Sequence, residues 1–248
     1  MLSVIIITKN EERNIEECLK SVQWADEVVI LDSGSTDKTE EISRKFTDNF
    51  FINSDWQGFG IQKQRALELS NGEWVLLVDA DERITKELKQ EILTAVSNHN
   101  LNGYLIPRSS IYLGKGINYS GWYPDYTLRL AKREKVEFSS DLVHEKMLFD
   151  LKPGKLMNPI IHYPYNNLAH HFEKINSYSS LSAQAMFHKG KDISLIGILI
   201  KCVAGFIRTY IIKRGFLDGS RGLIIAITTF VSVFQKYTKL WELNRKQK

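Results

Sequence analysis

The sequence predicts an α/β fold, with a mostly parallel sheet flanked by helices and a helical region at the C-terminal end. Three observations carry this. Strand-length apolar runs alternate with amphipathic helix-length stretches through the first hundred residues, the pattern of strand–helix–strand units in a parallel sheet. Three of those runs end in polar clusters, at 8–11, 32–37 and 79–82. Beyond residue 193, two long apolar stretches are broken by cations and followed by a basic tail.

Taken in order, residues 2–8 (Leu-Ser-Val-Ile-Ile-Ile-Thr) are a continuous β-branched run, as expected for a strand covered on both faces. Asn10 is expected to cap the next helix, with Glu11 and Glu12 favourable in its first turn. Ile15, Cys18, Leu19 and Val22 then fall on one helical face. Residues 28–31 read as a second buried strand, ending in the turn-and-cap cluster 32–37. The helix after it carries Ile42 and Phe46. A third strand is expected near Phe50–Ile52, then a helix over 60–70 stopped by Asn71 and Gly72. Residues 74–78 form another apolar strand, ending in Asp79, Ala80, Asp81 and Glu82. Thr85 opens a helix with Leu88, Ile92 and Val96 in phase. Residues 103–165 change character, with short strands, many aromatics and glycines, and no long helix. A helix fits 172–187. The apolar stretch 193–212 contains Lys201 and Arg208, and 222–234 is a second, shorter one.

The length of 248 residues fits one large domain or one domain with an appendage. Hydrophobic residues at 43% allow a sizeable core, and charged residues at 25% argue against disorder. The net charge of +4 is unevenly spread: residues 186–248 hold twelve Lys or Arg against three Asp or Glu, while 1–185 carry a net −5. Such asymmetry points to contact with something anionic. Two cysteines, Cys18 and Cys202, are too few for a disulfide framework or zinc site, and Cys18 reads as a small core residue. A reducing compartment fits them. The run 2–8 is too short for a signal peptide, so the chain is expected to begin directly with a strand. The expected division is a catalytic domain over 1–170 and a helical, basic, membrane-surface region over 171–248. The first splits into a nucleotide half (1–100) and an acceptor half (101–170).

In open α/β sheets the ligand crevice lies beyond the carboxyl ends of the strands, where the three polar clusters fall. Asp79 and Asp81 are two apart, so in extended backbone both carboxylates face one way. Paired carboxylates with a diphosphate suit a hard cation such as Mg²⁺ or Mn²⁺, which would neutralise a leaving diphosphate. A solvated turn or helix cap is the plainer alternative.

These residues carry a resemblance. Residues 3–11 (Ser-Val-Ile-Ile-Ile-Thr-Lys-Asn-Glu) and 29–37 (Val-Ile-Leu-Asp-Ser-Gly-Ser-Thr-Asp) resemble the inverting, nucleotide-sugar glycosyltransferases of family 2, which have the GT-A fold. Lys63-Gln64, Gly72-Glu73-Trp74 and residues 78–82 (Val-Asp-Ala-Asp-Glu) agree in order and spacing. Residues 121–130 (Gly-Trp-Tyr-Pro-Asp-Tyr-Thr-Leu-Arg-Leu), 142–145 (Leu-Val-His-Glu) and 215–219 (Gly-Phe-Leu-Asp-Gly) resemble a bacterial subgroup. Its members include lipopolysaccharide-core β-1,4-glucosyltransferases that act on heptose.

The resemblance implies roles. Thr8, Asn10 and Glu11 would line the nucleotide pocket, and Asp32 would bond the base or ribose, its alternative being a turn residue. Lys63 stands where the family commonly has Arg, and Gln64 where Asn is usual. Asp79 would meet ribose or metal, and Asp81 the metal. Inversion needs a base to take the acceptor proton, and a carboxylate is the usual choice. Glu145 falls at the family's position for it, with Asp141 in reserve. His144 would ligate the metal or orient the diphosphate, or serve as a structural histidine. Arg129 could pair its planar fork with the diphosphate or make a surface ion pair. Trp122, Tyr123 and Tyr126 offer either a sugar-stacking platform or plain core. His162, His170 and His171 show no metal-ligand pattern. The implied donor is UDP-glucose, and the implied acceptor a lipid-linked or lipopolysaccharide-core saccharide.

Residues 193–212 have the length of a bilayer span, but each charge near the centre costs roughly 2.5–3.5 kcal/mol. Apolar stretches punctuated by cations fit helices lying in the interface of an anionic leaflet, with the basic tail as anchor. A helical lid over the catalytic domain is the alternative. The expected location is cytoplasmic, peripheral on the inner face of the cell membrane. Two rivals remain at this stage. A nucleotidyltransferase would show a glycine- and basic-rich loop after the first strand, which Thr8-Lys9-Asn10-Glu11 is not. A non-catalytic membrane-surface module would not need acidic clusters at three strand ends. Nucleic acid is not expected, because aromatics are not interleaved with the basic residues.

Overall fold

A computed structural model describes residues 1–98, 101–139 and 147–246. In chain order the elements are β1 (Leu2–Thr8), α1 (Ile15–Val22), β2 (Glu27–Asp32), α2 (Thr39–Ser43), β3 (Phe50–Ile52), α3 (Phe59–Glu68), β4 (Trp74–Leu77), β5 (Glu82–Ile84) and α4 (Lys86–Ser97). Then come β6 (Gly103–Tyr112), β7 (Lys115–Gly116), β8 (Asp125–Lys132), β9 (Glu137–Phe138), β10 (Met147–Leu148), β11 (Gly154–Lys155), β12 (Ile160–His162), α5 (Leu168–His188), α6 (Leu195–Ile207) and α7 (Ser220–Lys246). A π-helical turn over Arg208–Ile212 continues α6, and a 3₁₀ turn over Gly215–Asp218 precedes α7.

The main sheet runs β3-β2-β1-β4-β8-β6-β12-β5. Its first half is parallel, as β1 pairs β2 and β4, and β2 pairs β3. From β8 onward it turns antiparallel, with β8 set against both β4 and β6, and β12 against β5. The expectation of a mostly parallel sheet therefore holds for the nucleotide half, and the whole is mixed. The cause is local. The first hundred residues supply crossover helices, whereas 103–162 supply none, and the longer strands there pair antiparallel, with the two-residue β11 lying parallel to β6.

Two compact units emerge. One comprises Met1–Arg108 and Asp125–His162, the other Ser109–Pro124 and Tyr163–Lys248. This differs from the expected break at residue 170. Segment Ser109–Pro124 groups with the C-terminal helices, because Asp218 gathers its backbone there, as described below.

In the first unit, alternate residues of β1 and β4 serve two cores, as the period of a strand requires. Val4, Ile6 and Leu76 pack with Ile15 and Leu19 of α1 and Leu88 and Ile92 of α4. Ile5, Val75 and Leu77 pack with Ala66 and Leu67 of α3. Cys18 lies fully buried in the first of these, a core residue as expected. Thr85 caps α4 by accepting from Leu88 N at 3.1 Å. Asn10 does not cap α1. Its φ of 56° lies in the left-handed region, which asparagine tolerates, and the chain turns once more before α1 begins. Its amide group is used elsewhere, in the site.

In the second unit, α7 packs against both α5 and α6. Residues that read as a basic tail after 234 belong to this helix, which continues to Lys246. Lys239 Nζ donates to Asn176 O, Asn176 Oδ1, Ser179 Oγ and Ser180 Oγ of α5, each at 2.8 Å. Asp218, 4% exposed, accepts from Asn118 N, Tyr119 N and Ser120 Oγ, so one carboxylate organises the 118–120 turn. A small aromatic core joins Tyr112, Trp122, Tyr165 and His171. Trp122 packs here, in contact with Tyr112 at 5.4 Å between ring centroids, and Tyr126 lies under Lys155 in the first unit.

Candidate active site

The loops that follow β1 and β2 are stitched together by side chains. Thr8 Oγ1 donates to Asp32 Oδ2 at 2.8 Å. Asp32 also accepts from Gly34 N, Ser35 N and Ser35 Oγ, so its two oxygens are fully engaged by the turn they organise. Asn10 N donates to Ser35 Oγ, and Asn10 Oδ1 accepts from Thr36 N, both at 2.8 Å. Glu11 N donates to Thr39 Oγ1 at 2.8 Å. Of the four residues that the resemblance assigns to the nucleotide pocket, Thr8, Asn10 and Asp32 thus meet in one network at the carboxyl ends of β1 and β2, with Glu11 tied beside it to Thr39.

Next to them, α3 presents buried Gln62, whose amide nitrogen donates to Ser33 Oγ and Asn53 O at 3.1 Å. Gln64 turns toward β9, its oxygen accepting from Phe138 N at 3.0 Å and its nitrogen donating to Glu68. Gln62 was not singled out from sequence, although its helical spacing from Arg65 and Ala66 marks the buried face of α3.

The turn after β4 is closed by Glu82 N donating to Asp79 O and Asp79 N donating to Glu82 Oε2, each at 2.9 Å. Asp79 is met by two cations: Lys63 Nζ lies 3.4 Å from Oδ1, and Arg129 Nη2 lies 3.0 Å from Oδ2. The same Nη2 is 2.8 Å from Glu82 Oε1, and Arg108 pairs with Asp125 nearby. Arg129 Nη1 is buried with no hydrogen-bond partner among the described residues. Burial pushes the Asp79 carboxyl up, but Lys63 and Arg129 outweigh it and hold the group ionised well below the usual carboxylate range. For Glu82, fully buried, desolvation dominates and raises its pKa despite Arg129. Arg129 stays charged, because Glu82 and Asp79 outweigh its own desolvation.

Asp81 is held differently. Its Oδ2 lies 3.5 Å from His162 Nε2. The pairing of β12 with β5 sets His162 opposite Glu82, and so beside this turn. Sequence spacing gave no sign of this histidine as a ligand. Among the described residues no cluster of three or more His, Cys, Asp or Glu could hold a metal. Asp81 and His162, 3.5 Å apart, are the described side chains that would hold a divalent cation here. A carboxylate oxygen with an imidazole nitrogen suits Mn²⁺ better than Mg²⁺, which prefers oxygen donors throughout. Asp141, His144 and Glu145 lie outside the described residues.

Comparisons with known proteins agree with this geometry. The family model described as Glycosyl transferase family 2 matches residues 3–150. An uncharacterized glycosyltransferase of Rickettsia typhi, RT0209, is 29% identical over 260 residues, covering 100% of this chain and 89% of that protein. The lipopolysaccharide core biosynthesis glycosyltransferase LpsC of Rhizobium meliloti is 29% identical over 252 residues, covering 95% of this chain and 93% of that protein. Among solved structures, S. aureus TarS 1-349 in complex with UDP-GlcNAc shares the fold at a TM-score of 0.50 and 18% identity. That match covers 100% of this chain and 92% of the other.

Proposed function

This chain belongs to glycosyl transferase family 2, and from that premise we propose that it is a metal-dependent, inverting hexosyltransferase of cell-envelope glycan synthesis. Membership sets aside the nucleotidyltransferase and non-catalytic readings. The donor we propose is a UDP-hexose, UDP-glucose first. The acceptor is a lipopolysaccharide-core or lipid-linked saccharide. LpsC, a relative along nearly the whole chain, is named for lipopolysaccharide core biosynthesis, and the TarS structure carries UDP-GlcNAc.

The observation that carries this reading is the turn after β4. There Asp81 Oδ2 lies 3.5 Å from His162 Nε2, beside the Asp79 carboxylate that Lys63 and Arg129 neutralise. When bound there, Mg²⁺ or Mn²⁺ supplies Lewis-acid neutralisation of the departing diphosphate. Lys63 and Arg129 add fixed positive charge beside it, and the unpaired Nη1 of Arg129 is a spare donor for a phosphate oxygen. The network of Thr8, Asn10, Glu11 and Asp32 shapes the nucleotide pocket. Glu145, with Asp141 in reserve, takes the proton of the acceptor hydroxyl as that oxygen attacks the anomeric carbon. His144 orients the diphosphate. The work is done at an anionic leaflet, on the inner face of the cell membrane.

Donor binding by the purified protein tests this, comparing UDP-, GDP- and CMP-sugars with and without Mn²⁺. Metal-enhanced binding of UDP-sugars alone is expected, lost in Asp81→Ala. Glu145→Gln should bind donor normally and transfer nothing. Near-normal transfer by Glu145→Gln would refute the base assignment.

A further inference from the structure

We infer that the outward face of α6 is an in-plane membrane anchor, seated in the boundary between headgroups and acyl chains of an anionic leaflet. This gives a surface to the membrane placement proposed above, and it differs from anchoring by a basic tail.

The face is defined by exposure. Ile196, Leu199, Ile200, Val203, Ile207 and Ile211 are 44–72% exposed and recur at three- and four-residue intervals, so they form one stripe. The opposite face is spoken for. Ile198, Cys202 and Thr209 are buried, and a Cβ on Gly205 would lie 3.5 Å from Val233 Cγ2 of α7. Lys201, which looked like a charge within the apolar stretch, lies over the Tyr237 ring of α7 at 5.3 Å. At the far end Phe216 and Leu217 are also exposed, beside Lys213 and Arg214. Large apolar patches of this kind on a folded surface mark a partner.

Leu195–Ile212 is long and apolar enough to cross a bilayer, with only 17% of it buried. Packing argues for lying flat instead. A crossing α6 would carry α7 in with it, and with it Lys236, Lys239 and Glu242, at roughly 2.5–3.5 kcal/mol for a Lys at mid-depth. An α6 lying in the plane, about 20 Å long by its helical rise, inserts its stripe and leaves α7 toward water. Charge complementarity selects the occupant. Residues 186–248 carry a net +9, which favours anionic headgroups. A second copy would bring the same positive region against it.

The test is co-sedimentation of the full chain with phosphatidylglycerol–phosphatidylcholine vesicles and with phosphatidylcholine vesicles. The variant is Ile196→Glu/Leu199→Glu/Val203→Glu, chosen because all three side chains are exposed and folding is not at stake. The expected result is preference for the anionic vesicles, reduced in the variant by roughly a hundredfold or more, with circular dichroism and melting temperature unchanged. Wild-type protein remaining in the supernatant, or a variant that partitions like wild type, overturns the inference. So does a wild-type dimer that the variant converts to monomer without vesicle binding by either, which would make the face a contact between copies. Donor binding is measured on the same samples without lipid. Its loss with vesicle binding intact defeats the hexosyltransferase reading alone, and the reverse pattern defeats the anchor alone.

Discussion

Arg129 Nη2 stands 2.8 Å from Glu82 Oε1 and 3.0 Å from Asp79 Oδ2, and neither Arg129 nor Glu82 is more than 5% exposed. One guanidinium thus satisfies two carboxylates where water reaches only one of them. Such a pair is costly to break, because the surviving partner stays buried and uncompensated.

Removing the cation measures that cost. Arg129→Met should lower unfolding free energy by about 3–5 kcal/mol, read by urea denaturation. Arg129→Lys keeps the charge but loses the fork, so it should fall between wild type and Arg129→Met. An Arg129→Met protein as stable as wild type would mean that Glu82 is protonated and needs no partner.

The metal prediction separates the two aspartates. Asp81→Asn and His162→Gln should each weaken Mn²⁺-enhanced UDP binding by roughly tenfold or more, read by calorimetry with and without metal. Asp79→Asn, which removes the carboxylate that Lys63 and Arg129 share, should instead lower the melting temperature. If His162→Gln binds Mn²⁺–UDP like wild type, the second protein ligand lies elsewhere.

A pH effect should arise in the other unit. His171 is 4% exposed, 2.9 Å from Tyr112 Oη and stacked on Tyr165. Burial, helped by Lys174 and His170, lowers its pKa from 6.5 to about 4. Between those values the unfolded chain binds a proton that the folded chain refuses, so stability rises with pH there. Lowering the pH from 7 should therefore destabilise the fold progressively, by up to about 3 kcal/mol once below pH 4. Melting temperature against pH should show the slope in wild type and a flatter curve in His171→Gln.

Two glycines should differ in what their substitution costs. A Cβ on Gly222 would sit 1.7 Å from Gly215 O, whereas one on Gly219 meets nothing within 4 Å. Gly219→Ala costs only backbone strain at φ 64°, ψ −138°, about 1–3 kcal/mol. Gly222→Ala must push backbone aside, and a loss of about 3 kcal/mol or more is expected. Thermal melts of the two variants side by side decide it.

The parts of this fold that were legible are those where a local pattern has one meaning. β1, β2 and β4 are buried on both faces and read as unbroken apolar runs, and the site clusters follow directly at their ends. Thr85 caps α4 with a local bond, from Leu88 N three residues on, that the sequence spacing already displays. Asn10 misled because the residue that suits a cap also suits a left-handed turn, and its partner Thr36 is remote in sequence. His162 was hidden for a related reason. It reaches Asp81 only through the antiparallel pairing of two three-residue strands, too short to carry a period. The residues after 234 looked like a tail because their cations are frequent, yet Lys239 and Tyr237 spend their polar and aromatic faces on α5 and α6.

The contact at Gly222 also fixes where α7 begins relative to the turn before it. A slip of α7 by one residue in either direction would drive Arg221 or Leu223 into the Gly215 carbonyl, so the helix has a single permitted register. Because α5 and α6 both pack on α7, their alignment is inherited from that one point. Length changes are then tolerable at the Lys246 end and between α5 and α6, while a single residue added between Gly215 and Gly222 would shift the rows of side chains on which both neighbouring helices rest.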